Sequence, residues 1–174
     1  MAVAIVVSGA TSFASAQTAT APDADVKAAF LFNFAQFTEW PALASDAPIT
    51  ACIVNDEGVA AALAKTVRGR NISGHALEVS RPQDSTTWRT CHLLFLAEGV
   101  VRRAAAELRE ITALPVLTVS DSKGFSRAGG IIELYVEGGR MRFSINVDAV
   151  NRSGLRLSSR LLGLAKIVRN ENAR

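Results

Sequence analysis

Two cysteines, two histidines and one polar turn are the residues whose chemistry could reach beyond packing. Cys52 and Cys91 are the only thiols, and His92 directly follows the second. A thiolate–imidazole or metal site would need these groups side by side, whereas adjacent strand residues point to opposite faces. No second Cys or His stands at metal-ligand spacing from either thiol. No G-x-S-x-G, P-loop, H-E-x-x-H or C-x-x-C motif occurs in the chain. His75 and His92 have no partner nearby in sequence and are read as structural. The sequence therefore calls for no enzyme, no metal and no cofactor.

The polar turn is Ser120-Asp121-Ser122-Lys123-Gly124-Phe125. It follows a strand end, where open α/β sheets place ligands. Asp121, Lys123 and Phe125 are thus the candidate residues for a small polar ligand. The competing reading is that Asp121 and Ser122 only make turn hydrogen bonds. Gly129-Gly130 could bring backbone N–H groups close to an anion, or could simply turn the chain into the next strand. Near the end, Arg152, Arg156 and Arg160 recur at i, i+4 and i+8, one face of a helix. They are read either as a solvated face or as a docking face for an acidic partner or anionic headgroups.

Residues 1–16 read as a secretory signal. The apolar run Val3-Ala4-Ile5-Val6-Val7 precedes Ala14-Ser15-Ala16, and cleavage is expected after Ala16. Export places the mature chain, Gln17 to Arg174, in the periplasm. In that oxidising compartment two thiols are expected to pair, with two buried free thiols, or a metal or catalytic role, as the alternatives. The 49% apolar content argues against disorder. A net charge of +3 is too small to point to nucleic acid, though six of the seven charges from Arg152 onward are basic.

Hydrophobic periodicity supplies the scaffold. Residues 17–24 are expected to be flexible and 25–174 to form one domain. Asp25 reads as the N-cap of a helix over 26–40 that carries Phe30, Phe34 and Phe37 and stops before Pro41. Strands are expected over 49–55, 75–80, 91–97 and 115–120, with helices over 57–68 and 100–111. A hairpin follows, 131–136 with 141–147, and one helix closes the chain between 148 and 168. This order predicts a single three-layer α/β domain. Its mainly parallel sheet has about six strands, a C-terminal antiparallel hairpin and helices on both faces.

Three segments carry a resemblance to a known family. They are VKAAFLFNFAQFTEWP from Val26 to Pro41, CHLLFLAEG from Cys91 to Gly99 with Cys52 upstream, and the run from Val116 to Val168 with its GF, GGII, GGR-x-RF-x-IN and GL-x-x-SS-x-LL-x-LA signatures. The chain resembles the YfiR family of periplasmic proteins. The resemblance implies a repressor that binds the periplasmic sensor domain of a membrane-bound diguanylate cyclase of the YfiN type. It also implies low cyclic di-GMP, a disfavoured biofilm, sequestration by an outer-membrane lipoprotein, and redox sensitivity through a Cys52–Cys91 disulfide. The chain has no counterpart of the second cysteine pair that some members carry after the hairpin.

Two functions from different classes follow. The first is a regulatory protein that binds a diguanylate cyclase or sensor kinase, with a homodimer left open. The second is a periplasmic small-molecule-binding protein feeding a sensor kinase or transporter. For the first, the expected contact is Val150, Leu155 and Leu157, with Arg152 and Arg156 at the rim. Leu155 and Leu157 stand two apart, about 200° on a helix, so on a helix both cannot face one core; the alternative is that this region is not yet helical and both leucines are buried in a loop.

Overall fold

The computed structural model describes residues 23–170; the expected signal peptide and most of the expected flexible stretch lie outside the described residues. Helix α1 (Asp23–Gln36) opens two residues before Asp25 and buries Ala28, Leu31, Phe34 and Ala35. It ends four residues before Trp40. Thr38–Glu39 instead form a short strand, β1, and the Thr38 hydroxyl donates to the Phe34 carbonyl at the helix end.

Strand β2 (Ile49–Val54) leads to α2 (Glu57–Val67), whose N-cap Asp56 accepts the Val59 N–H. Then come β3 (Asn71–Ile72), β4 (His75–Ser80), a 3-10 turn (Ser85–Thr90) and β5 (Leu93–Leu96). The helix expected over 100–111 is broken into α3 (Glu98–Val101) and α4 (Ala105–Ile111). Strand β6 (Leu117–Ser120) precedes the hairpin β7 (Ile132–Glu137) and β8 (Arg140–Asn146).

The single closing helix does not form. In its place stand α5 (Val147–Ser153), β9 (Arg156–Leu157), α6 (Ser159–Leu164) and β10 (Lys166–Val168). The break has a local cause. Gly154 adopts φ 72°, the left-handed cap that ends a helix, and Ser158 then caps α6 through the Leu161 N–H. The arginine stripe is dispersed with it. Arg152 lies on α5, Arg156 on β9 and Arg160 on α6.

The eight-stranded sheet runs β10-β8-β7-β6-β5-β2-β4-β3. Strands β4, β2, β5, β6 and β7 are mutually parallel, β8 runs against β7 and β3 against β4, and β10 is parallel to β8. Strands β1 and β9 form a separate antiparallel pair. The molecule is a single α/β domain with helices on both sides of a mostly parallel sheet. Alternation along each strand divides the core. Leu93, Phe95, Leu117 and Val119 face α1 and α2, while Leu94 and Leu96 face Trp88, Val100 and Ile111 on the other side. Both faces are therefore covered, and the central strands read as continuous apolar runs.

Candidate functional site

Cys52 on β2 and Cys91 just before β5 form a disulfide, with a Cα–Cα distance of 5.9 Å. Strands β2 and β5 are neighbours, which brings together residues 39 apart in sequence. Both cysteines are 3% exposed and pack on the second face with Trp88 and Leu94. His92 is turned away to other work. Its Nδ1 accepts the Thr50 N–H at 3.0 Å and its carbonyl accepts the Trp40 indole N–H at 3.1 Å. Burial, and to a smaller degree the charge of His75, push the His92 pKa down. His75 Nδ1 lies 2.8 Å from the Ala47 carbonyl oxygen. Both histidines are thus tied to backbone groups.

The strand-end loop is held from three directions. Lys27 on α1 reaches Asp121 Oδ2 at 2.7 Å and Asp23 Oδ2 at 2.6 Å. Burial lowers the Lys27 pKa, but its hydrogen bonds and charge interactions with Asp121 and Asp23 outweigh that and raise it. Glu133 on β7 accepts the N–H groups of Gly124 and Ser126 at 2.9 and 3.1 Å and the Ser126 hydroxyl at 2.9 Å. Asn146, wholly buried, donates to the Ser126 carbonyl at 2.6 Å and to Asn170 Oδ1 at 2.8 Å. Its own Oδ1 caps α5 by accepting the Ala149 N–H.

This network explains why the three expected ligand residues do not converge. Asp121 is engaged by Lys27, and Lys123 is exposed. Phe125 is buried beneath the loop in the second core, where a Cβ on Gly130 would stand 2.2 Å from its ring. A hollow of about 560 Å³ is lined by Asp121 and Lys123 together with Glu133, Tyr135 and Lys166, but not by Phe125. Sequence reasoning passed over Ser126, Glu133, Ser144 and Asn146. The available signal was a carboxylate between two apolar residues, Glu133 between Ile132 and Leu134, and two small polar residues flanking Ile145, Ser144 and Asn146.

The expected docking residues also separate. Val150 and Leu155 are 7% and 5% exposed and belong to the main core, so they are corrected from surface to interior. Leu157 is half-buried opposite Thr38 in the β1–β9 pair. Arg152 and Arg156 are exposed. Among the described residues the large apolar side chains that reach solvent are Val136, Leu164 and Ile167. Ile167 is the last member of a row in strand register, Ile53–Phe95–Val119–Ile132–Ile145–Ile167. The inner members are buried, while Ile167, on the open edge strand, is 45% exposed.

Among the described residues no group of three or more His, Cys, Asp or Glu side chains could hold a metal ion. Among them, too, no helix is long and apolar enough to cross a membrane.

The model of the YfiR/HmsC-like family matches residues 24–166. The chain belongs to the YfiR/HmsC-like family. The match takes in every strand of the sheet, though β10 only at its first residue, and the Cys52–Cys91 pair. The chain is also similar to a solved structure, the crystal structure of a conserved domain protein from Vibrio cholerae O1 biovar eltor. The two are 10% identical with a TM-score of 0.48, over 83% of this chain and 60% of that one. This chain thus spans about three fifths of that protein.

Proposed function

We propose that this protein is an exported, non-catalytic regulator in the periplasm. It represses a membrane-bound signalling enzyme, a diguanylate cyclase of the YfiN type or a sensor kinase, by binding the periplasmic domain of that enzyme. Family membership supports the class of function. The observation that carries the binding mode is the open edge at β10. There the apolar row of the core runs out to solvent at Ile167, beside exposed Leu164 and exposed Lys166 and Arg169. Unpaired strand edges accept further strands, and an apolar centre with a charged rim suits a protein interface. Leu164 and Ile167 take the place of Val150 and Leu155 as the apolar centre. Arg152, Arg156 and Leu157 remain in the proposed surface as its periphery.

The disulfide enters this reading through stability. Both sulfurs are shielded, and thiol–disulfide exchange needs access to sulfur. Redox conditions therefore act on whether the domain folds more than on a switch within the folded state. An outer-membrane lipoprotein that sequesters the regulator is compatible with the same edge.

The small-molecule reading has less support. Its key carboxylate, Asp121, is already tied through Oδ2 to Lys27, and Phe125 does not line the hollow that Asp121 lines.

Deletion of the gene is expected to raise cellular cyclic di-GMP, and the wild-type protein to lower it again. A folded Leu164→Asp/Ile167→Asp protein with an unchanged Tm is expected to fail in that complementation and in capture of the cyclase from solubilised membranes. Unchanged cyclic di-GMP on deletion would count against the cyclase. Full complementation by the double variant would count against the edge.

A further inference from the structure

A second hollow, of about 620 Å³, opens beside the end of β10. Four cations line it, and they come from four separate places in the chain. Arg127 belongs to the loop after β6, Arg152 to α5, Lys166 to β10 and Arg169 to the segment after it. Among the described residues no carboxylate lines the hollow. Of the four, Arg169 alone has an ion pair among the described residues, its Nη1 lying 3.9 Å from Asp148 Oδ1. Asp148 spends its other oxygen on the Asn170 N–H at 2.8 Å, which fixes the backbone just past β10.

Folding thus gathers four like charges around one concavity, and among the described residues no opposite charge lines it. We propose that this hollow binds a phosphate-bearing anion. Three of the cations are guanidinium groups, whose planar forks take two oxygens of one phosphate at a time. The charge count suits a ligand carrying several negative charges, which a lone carboxylate does not. The apolar lining is limited to a few small or aliphatic side chains, chiefly Ala128, Ile167 and Val168. Recognition therefore falls on the phosphate group, and the remainder of the ligand projects into solvent. Two sources share this chemistry, a free phosphate compound and a phospholipid headgroup. The inference does not depend on the regulator reading, since phosphate binding is measured without any protein partner.

The test uses the mature chain and two probes at constant ionic strength. Inorganic pyrophosphate is titrated by calorimetry, and vesicles of phosphatidylglycerol are compared with vesicles of phosphatidylcholine. Saturable pyrophosphate binding with Kd below ~1 mM is expected. It should weaken about tenfold in Arg127→Ala and in Arg152→Ala. Both side chains are exposed, so both variants should fold, and Arg68→Ala, an exposed cation after α2 and outside this hollow, should bind as the wild type does. Binding to phosphatidylglycerol vesicles alone, lost in the same two variants, assigns the site to a lipid headgroup. The proposal is overturned if neither probe binds, or if binding persists unchanged in both arginine variants. Binding of an acidic peptide without either phosphate probe also overturns it.

Discussion

Lys27 Nζ stands 2.7 Å from Asp121 Oδ2 across 94 residues of sequence, and this contact clamps α1 onto the end of β6. Lys27 is 12% exposed in its side chain and Asp121 20%, so the pair is only lightly hydrated. Removing one partner strands the other in a poorly solvated place. Lys27→Met is expected to cost about 2 kcal/mol, short of the ~3–5 typical of a fully buried pair because some water remains. The double variant Lys27→Met/Asp121→Asn should lose less than the sum of the single changes, as measured by urea unfolding. Strict additivity would show that the contact is not coupled. The raised Lys27 pKa also has a sign. Its stabilisation is complete below the ordinary lysine value near 10.5 and is lost as pH rises through the higher folded value.

The disulfide closes a loop between residues 39 apart. Chain entropy makes this worth ~4 kcal/mol of stability. Cys52→Ser and Cys91→Ser should each lower stability by ~2–5 kcal/mol. Native protein treated with a mild thiol reductant should keep the bond for as long as it stays folded, because both sulfurs are buried. Mass spectrometry after alkylation reads this directly. Rapid alkylation of both thiols in folded protein would restore the exchange-switch view.

His92 makes the domain sensitive to mild acid. Its Nδ1 must keep a free lone pair to accept the Thr50 N–H, so protonation at that nitrogen breaks the bond. Burial, helped by His75, holds its pKa below the ordinary value of 6.5. The unfolded chain therefore takes up the proton first as pH falls. Stability is complete above about pH 6.5 and declines as pH drops through the lowered folded value. His92→Asn, which can keep an acceptor near Thr50, should flatten that decline at a cost of about 1 kcal/mol at neutral pH. A pH series of thermal melts checks it, and an identical slope in the variant would assign the acid sensitivity elsewhere.

Gly130 and Phe125 form a fitted pair. A Cβ at position 130 would lie 2.2 Å from the Phe125 ring, so Gly130→Ala must displace a buried aromatic. Overpacking of this kind costs about 1–3 kcal/mol. Phe125→Leu should relieve part of the loss in the double variant. If Gly130→Ala melts as the wild type does, the ring has room to move and the pair is not fitted.

Short apolar runs, nearly continuous in β2 and β5 and alternating in β4, β6 and the β7–β8 hairpin, were sufficient to place these strands, because each buries side chains in a pattern the residues themselves display. The disulfide and the family resemblance were legible for the same reason, as they rest on residue identities in order. Strands β1, β3, β9 and β10 were not legible. Each has only two or three residues, too few to show a period, and each exists because a neighbouring strand supplies its hydrogen bonds. The closing segment misled because its arginines and leucines keep helical spacing, while Gly154 and Ser158 interrupt the backbone between them. That interruption moved Val150 and Leu155 into the core and carried Ile167 to an edge. The Lys27–Asp121 clamp, the Glu133 and Asn146 network and the four-cation hollow join residues far apart along the chain. No local pattern records such meetings, since they arise when the sheet is assembled and distant side chains are brought to one face.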